Sequence, residues 1–280
     1  MTNTTPGGEG DSVPNGVHRV HLTEEKETLL ITLYAKALDS RSRNPILGDE
    51  KAYEIVRMID YDFERLNNFG NGNVIVARAR TVDEWTREFL GSNPGAVVLN
   101  LGCGLDTRVS RIDPSPGVSW FDVDYPEVIG ERRNFYSDRV GYRMIGSSVT
   151  EPGWLREIPE DRPTLVIAEG VFEYLTEEQV KALLNRVTGR FSRGEAVFDV
   201  MNSFAERSGR SSLMATTGAE HRWAVDDVRR VDGLDPKLRR TASLSVLGSR
   251  YLPPRYRLLY GIVGLFPSFR NMMRLLRYEF

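Results

Sequence analysis

The chain has 280 residues, 40% hydrophobic and 27% charged, with a formal net charge of −2; this suffices for one large α/β domain and is an ordinary balance for a globular protein. Its one cysteine, Cys103, excludes an intramolecular disulfide and a Cys-rich metal centre, and three histidines (His18, His21, His221) argue against a His/Cys zinc site, so no metal is expected. The longest apolar stretch, Leu258 to Phe266, falls short of the about 20 residues of a membrane helix. The negative overall charge, without a basic motif of known docking mode, argues against nucleic acid; a cytoplasmic protein is expected.

In chain order, the polar, Gly/Pro-rich start MTNTTPGGEGDSVPNG lacks the apolar stretch of a signal peptide, and residues 1–20 are read as a disordered tail. Residues 22–39 are predicted as a helix, with Leu29, Leu30, Leu33, Tyr34 and Leu38 at helical spacing. Thr23 is its candidate N-cap, and the capping box is incomplete because Lys26 stands three residues on. A second helical stretch covers 49–66, and a third follows Gly72, with Thr81 ahead of the run VDEWTREFL. These three precede the first clear strand and are read as an N-terminal helical cap over 21–94.

From there strand and helix alternate. AVVLNL (96–101), VSWFDV (118–123), a weaker run at 141–146, TLVIAEG (164–170) and EAVFDVM (195–201) read as strands, several being the continuous apolar runs of parallel strands buried on both faces. Residues 176–190 read as a helix with Thr176 and Gln179 at capping-box spacing. Late strand candidates at 241–247 and 274–280 complete the expectation: an α/β fold, a Rossmann-like seven-stranded mostly parallel sheet with helices on both faces. The whole of 21–280 is one expected domain, with a cofactor-binding core over 95–202 and substrate-side helices and final strands over 203–280.

The stretch VVLNLGCGLDTRVSRI holds the most chemistry. A buried strand ends in Gly102-Cys103-Gly104 where a helix begins. Gly102 permits a sharp turn, and Gly104 lets a ligand approach the backbone. A dinucleotide loop would carry a third glycine where Thr107 stands, and a P-loop lysine is missing. A bare G-x-G suits a cofactor without phosphate, such as S-adenosylmethionine, or a tight turn with no ligand at all. Asp124, 20 residues after Gly104 at the end of the second strand, stands where an acid accepts from ribose hydroxyls. Asp122 would face the same side if the strand continued, and Asp106 and Thr107 read first as helix caps. Cys103 reads as a small buried side chain with no base nearby.

The strings LGCGLDTR, FDVDYPEV and IAEGVFEYL, with ETLLITLYAKA before them, resemble the leucine carboxyl methyltransferase family over roughly residues 25–200, in its bacterial tetracenomycin-type polyketide O-methyltransferase branch. The resemblance implies S-adenosylmethionine as cofactor and S-adenosylhomocysteine as product. It places Arg78, Gly102, Cys103, Gly104, Asp124, Tyr125, Ser148, Val149 and Glu169 at the cofactor. Of these, Arg78 would hold the methionine carboxylate, Asp124 the ribose and Glu169 the methionine end. Ser148-Val149 stand where related proteins carry an Asp-Leu pair against adenine. Tyr174 would line the methyl-transfer pocket beside Glu169.

The implied reaction is methyl transfer to a carboxylate or hydroxyl of a polyketide-like small molecule; a non-catalytic cofactor-binding or pathway-interaction protein, or a nicotinamide-dependent oxidoreductase, are the alternatives. An ionised carboxylate needs no base, whereas a phenol, pKa about 10, benefits from one. His221, after the fifth strand, is the candidate to position or deprotonate a hydroxyl, or else a surface histidine. Residues 237–280 hold nine Lys/Arg against Glu279 alone, +8 there and −10 over the rest. Either this segment attracts an acidic acceptor, with Tyr251, Tyr256, Tyr260, Phe266 and Phe269 as an apolar wall, or its arginines pair with the acidic body.

Overall fold

Seven strands form one sheet, β1 (Val97–Leu101), β2 (Ser119–Asp124), β3 (Tyr142–Gly146), β4 (Thr164–Ala168), β5 (Gly194–Met201), β6 (Arg239–Ser245) and β7 (Met273–Glu279), in the order β3-β2-β1-β4-β5-β7-β6. This computed structural model describes residues 28–66, 72–208 and 220–280. The tail at 1–20, Thr23, Lys26, His18 and His21 lie outside the described residues. The five strands β3 to β5 are mutually parallel, and β7 enters antiparallel between β5 and β6.

The strand alternation explains the continuous apolar runs. Val97, Leu99 and Leu101 pack on one face with Val180, Leu183, Leu184 and Val187 of the helix α6 (Glu177–Arg190). Ala96 and Val98 point the other way, into Val82, Trp85 and Phe89 of α3 (Gly72–Ser92). With both faces covered, neither set of side chains can be polar at low cost; each large apolar side chain so buried contributes about 1.5–3 kcal/mol.

α1 (Thr28–Ser40) and α2 (Glu50–Met58) form a separate apolar cluster in which Leu30, Leu33, Ala52 and Ile55 enclose Leu105 of the first strand–helix loop. The cap thus sits on that loop, while α3 is part of the layer packed on the sheet. Two local readings change. The second helical stretch is broken after Met58, and its start is capped by Asp49, which accepts from the Ala52 N–H at 3.0 Å. Thr81 begins nothing: it lies inside α3 and donates to Ala77 O at 2.9 Å. The capping box at Thr176 and Gln179 is present as read.

Between β1 and β2 runs α4 (Arg108–Ile112), and between β2 and β3 runs α5 (Pro126–Arg132). Asp122, in the middle of β2, is fully buried and accepts from Arg132 Nη2 (2.5 Å), Tyr142 Oη (2.7 Å), Asn100 Nδ2 (2.9 Å) and Trp120 Nε1 (3.0 Å). The same Arg132 donates to the carbonyls of Gly104 (3.1 Å) and Asp106 (2.6 Å). Asp122 is therefore saturated by the interior, and through Arg132 it holds the loop after β1 from beneath. Among the described residues, no helix is long and apolar enough to cross a membrane.

Candidate active site

A cavity of about 380 Å³ opens outside the carboxyl ends of β1, β2 and β4, where open α/β sheets bind ligands and within the usual range for small-molecule sites. Gly102, Gly104, Asp124, Val149, Glu169 and Tyr174 all reach its wall, as do Arg78, Cys103 and Tyr125.

Gly102 and Gly104 both take left-handed backbone, φ +58° and +49°, which favours glycine. A Cβ on Gly102 would stand 2.5 Å from Val171 Cγ2, and one on Gly104 would stand 2.6 Å from Leu29 Cδ2. The close approach expected from a ligand at Gly104 is thus already made by Leu29 of α1. Asp124 accepts from the backbone N–H of Gly104 and of Tyr125, each at 2.7 Å. Burial outweighs those two bonds and pushes its carboxyl up to about 6. Burial likewise pushes the Cys103 thiol well above its ordinary value, consistent with an inert packed side chain.

The opposite end of the cavity is ionic. Arg78 donates through Nε to Glu169 (3.0 Å) and through Nη1 to Asp199 (2.8 Å), the latter from β5. Arg108 joins Glu169 to Asp83 and Asp106. Burial raises the Glu169 carboxyl, but Arg108 and then Arg78 outweigh it and hold it below its ordinary range. Lys36 of α1 reaches Asp106 at 2.5 Å, and Arg108, Lys36 and Arg111 keep Asp106 well below its ordinary value against its burial. Thr107 and Asp106, expected as caps of α4, make no such bond: Thr107 starts α4 without a side-chain cap and donates to Asp49 instead.

Two expected residues stand apart from the wall. Ser148 Oγ lies 2.8 Å from Thr150 Oγ1 and accepts from the Thr150 N–H in a local turn, so of the pair only Val149 borders the cavity, beside Leu105 and Val128. His221 is also off the wall; its ring lies 5.4 Å from that of Tyr174. The sequence reading missed Lys36, Arg108 and Glu173, all cavity-lining. Each sat inside a string quoted for its motif, but nothing local told which polar side chains turn inward.

Four arginines of the basic 237–280 segment form ion pairs. Arg250 pairs with Glu84, Arg277 with Glu88 and Glu195, Arg240 with Asp232, and Arg239 with Glu279. None of the five aromatics proposed as an apolar wall borders this cavity; Tyr251 instead donates to Glu84 at 2.7 Å. Of the nine, Arg240, Arg250 and Arg277 follow the reading in which the segment pairs with the acidic body.

The leucine carboxyl methyltransferase profile matches residues 29–138. The tetracenomycin polyketide synthesis O-methyltransferase TcmP of Streptomyces glaucescens is 41% identical over 266 residues, 93% of this chain and 98% of its own. The chain belongs to the leucine carboxyl methyltransferase family. A second member-like relative, the S-adenosyl-L-methionine-dependent methyltransferase dpfgK of Gibberella zeae, is 34% identical over 82% of this chain and 85% of its own. Two crystal structures share the fold at low identity. One is a methyltransferase from Thermobifida fusca (TM-score 0.57, 15% identity, 87% of this chain and 93% of that one). The other is a DUF574 family protein from Streptomyces avermitilis (TM-score 0.60, 12% identity, 91% and 98%).

The protein is therefore an S-adenosylmethionine-dependent O-methyltransferase, and its cofactor is S-adenosylmethionine. The cavity fits that molecule on its own chemistry: a carboxylate with lone pairs free for a diol at one end, an apolar strip at Val149, Leu105 and Val128, and paired cations and carboxylates for an amino acid at the other.

Proposed function

We propose that this methyltransferase transfers the methyl group to a carboxylate or hydroxyl oxygen of a polyketide-like small molecule, in a cytoplasmic setting. The observation that carries this reading is the 41% identity, nearly end to end, with an enzyme named for tetracenomycin polyketide synthesis. When bound, the cofactor supplies an activated methyl group on a sulfonium sulfur. The chain's part is placement and charge. Asp124 would hold the ribose hydroxyls, with the Gly102–Gly104 backbone and Tyr125 beside it. Val149 would border the adenine. Arg78 and Lys36 would offer cationic groups to the methionine carboxylate, and Glu169 would take the ammonium. Tyr174 walls the acceptor side, braced by His221.

The test is transfer of labelled methyl from S-adenosylmethionine to a panel of aromatic acids and phenols, with the product separated as ester or ether. Binding of S-adenosylhomocysteine without transfer to any acceptor would favour a cofactor-binding protein without catalysis.

A further inference from the structure

Between β6 and β7 the chain leaves the sheet and returns to it at the carboxyl end of β5, because Ser245 pairs with Arg274 and Met273 stands opposite Met201. The cavity opens at the same end of the sheet. The excursion holds two helices, α7 (Pro254–Val263) and α8 (Pro267–Arg270), neither with a buried residue. Its roots are fixed. Val246 and Leu252 are buried, the Asn202 side chain donates to Ser268 O at 2.8 Å, and Phe269 packs on Phe204 at 4.8 Å between ring centres. Met273 Sδ lies 3.8 Å from Nη1 of the cavity-lining Arg78.

α7 is turned the opposite way to an ordinary surface helix, whose apolar stripe faces the core. Leu258, Leu259 and Ile262 share one face of the helix and are 71%, 51% and 59% exposed. Tyr256 and Tyr260, on the other side, stack at 6.1 Å and are half-buried. Leu265 (80%) and Phe266 (66%), in the link to α8, extend the apolar surface. The charges around it are of one sign: residues 246–272 include Arg250, Arg255, Arg257 and Arg270 and no Asp or Glu. Arg250 is paired with Glu84. Arg255, Arg257 and Arg270 are exposed and, among the described residues, pair with no acid.

We propose that α7 and α8 dock the protein on an anionic lipid surface, with the cavity end of the sheet toward the lipid. The docking does not depend on which acceptor oxygen is methylated. Leucine and phenylalanine side chains flanked by arginines suit the headgroup boundary, where apolar groups enter the acyl region and cations meet lipid phosphates. A second copy seated on the same face about a twofold axis would set these arginines against one another as like charges. An acidic protein would complement the arginines, but the element spans only 254–270, short of the about 20–30 residues that a stable protein interface takes from each side. A lipid surface needs no matching groove. For the reaction the consequence is access: an apolar acceptor held in the bilayer reaches the cavity without first dissolving in water.

The experiment is co-sedimentation of the full chain with phosphatidylcholine vesicles, alone or with about a third phosphatidylglycerol. The two variants are Leu258→Glu with Ile262→Glu, and Arg255→Glu with Arg257→Glu. None of these four residues borders the cavity, so both variants should keep the wild-type melting temperature and S-adenosylhomocysteine affinity. Wild type should bind the phosphatidylglycerol vesicles at least about tenfold more tightly than the neutral ones, and lose most of that difference in about 1 M salt. Each double variant should bind the anionic vesicles about tenfold more weakly than wild type. No sedimentation of wild type, or equal sedimentation of the variants, overturns the proposal. Equal binding to neutral and anionic vesicles removes the role of the arginines and overturns it as well. Self-association by light scattering that Leu258→Glu with Ile262→Glu abolishes makes a second copy the occupant. Capture by polyglutamate but not by vesicles makes it an acidic protein, and either result overturns the lipid reading. Methyl transfer to a water-soluble acceptor without vesicles is read separately, so a failure of docking and a failure of O-methylation are told apart.

Discussion

Arg78 of α3 and Glu169 at the end of β4 meet at 3.0 Å across 91 residues of sequence, and the same guanidinium reaches Asp199 on β5 at 2.8 Å. Burial alone would lower the Arg78 group, but Asp199, Glu169 and Glu173 more than offset it and raise it. One cation thus ties a helix to two neighbouring strands at the floor of the cavity. Arg78→Ala should leave the buried Asp199 without its cation and Glu169 with Arg108 alone, and cost about 3–5 kcal/mol, read as a shift in urea midpoint at constant slope. Arg78→Lys keeps the charge but lacks the fork that spans both acids; it should recover less than half of that loss.

With Asp124 as the proposed ribose ligand, its carboxyl, pushed up to about 6, would make cofactor affinity pH-dependent in the near-acid range. Ribose hydroxyls would donate to its ionised form, so binding would favour the deprotonated carboxyl and lower its pKa in the complex. Affinity for S-adenosylhomocysteine should be flat above about pH 7 and fall as pH drops through 6. Asp124→Asn should lose about 10- to 100-fold at neutral pH, as one or two charged hydrogen bonds warrant, and show no such limb. Calorimetry from pH 5 to 8 checks both.

Gly102→Ala combines two penalties, left-handed backbone at φ +58° and a Cβ 2.5 Å from Val171 Cγ2. It should destabilise by more than about 1 kcal/mol and weaken cofactor binding. Adding Val171→Ala relieves the collision but not the backbone strain, so the double variant should recover stability only in part. Equal melting temperatures for wild type and Gly102→Ala would contradict the close packing at this turn.

Folding itself responds to pH through Glu173. Its folded-state value, about 8, lies above the unfolded one of 4.5, so the folded chain holds a proton that the unfolded chain has lost. Stability on this account is intact below about pH 4.5 and declines as pH rises toward 8. Glu173→Gln removes the decline. Its melting temperature relative to wild type should therefore rise between about pH 5 and 8 and level off above.

The paired arginines of 237–280 bear on the salt response. Because Arg250 and Arg277 face Glu84, Glu88 and Glu195, they leave little field to steer an acidic acceptor. The acceptor KM should change less than twofold between low and high ionic strength, a range over which unpaired surface charges are strongly screened.

Much of the scaffold was legible because its signals are local. The Thr176–Gln179 box closes within one turn of helix, and the strands declare themselves by being apolar on both faces. The turn at Gly102 and the acid at Asp124 were legible for the same reason, each being the end of such a strand. What stayed hidden was long-range. Nothing near Asp199 in EAVFDVM says that it meets Arg78, and nothing near Ser148 says that its hydroxyl prefers Thr150 to the cavity. Glu169 and Glu173, four residues apart in one string, look alike in sequence. They diverge because the first is met by two guanidinium groups and the second leaves an oxygen unmet.

The position of β7 also bears on how the chain is made. β6 leaves the ribosome before β7, yet among the described residues β7 is its only neighbour in the sheet, and β7 itself lies antiparallel against β5. A nascent chain that has reached residue 272 can assemble the five parallel strands and the cofactor end of the cavity, but β6 must wait without a partner. Truncated chains ending before β7 should accordingly expose an unpaired β5 edge, which β7 covers while also pairing with β6.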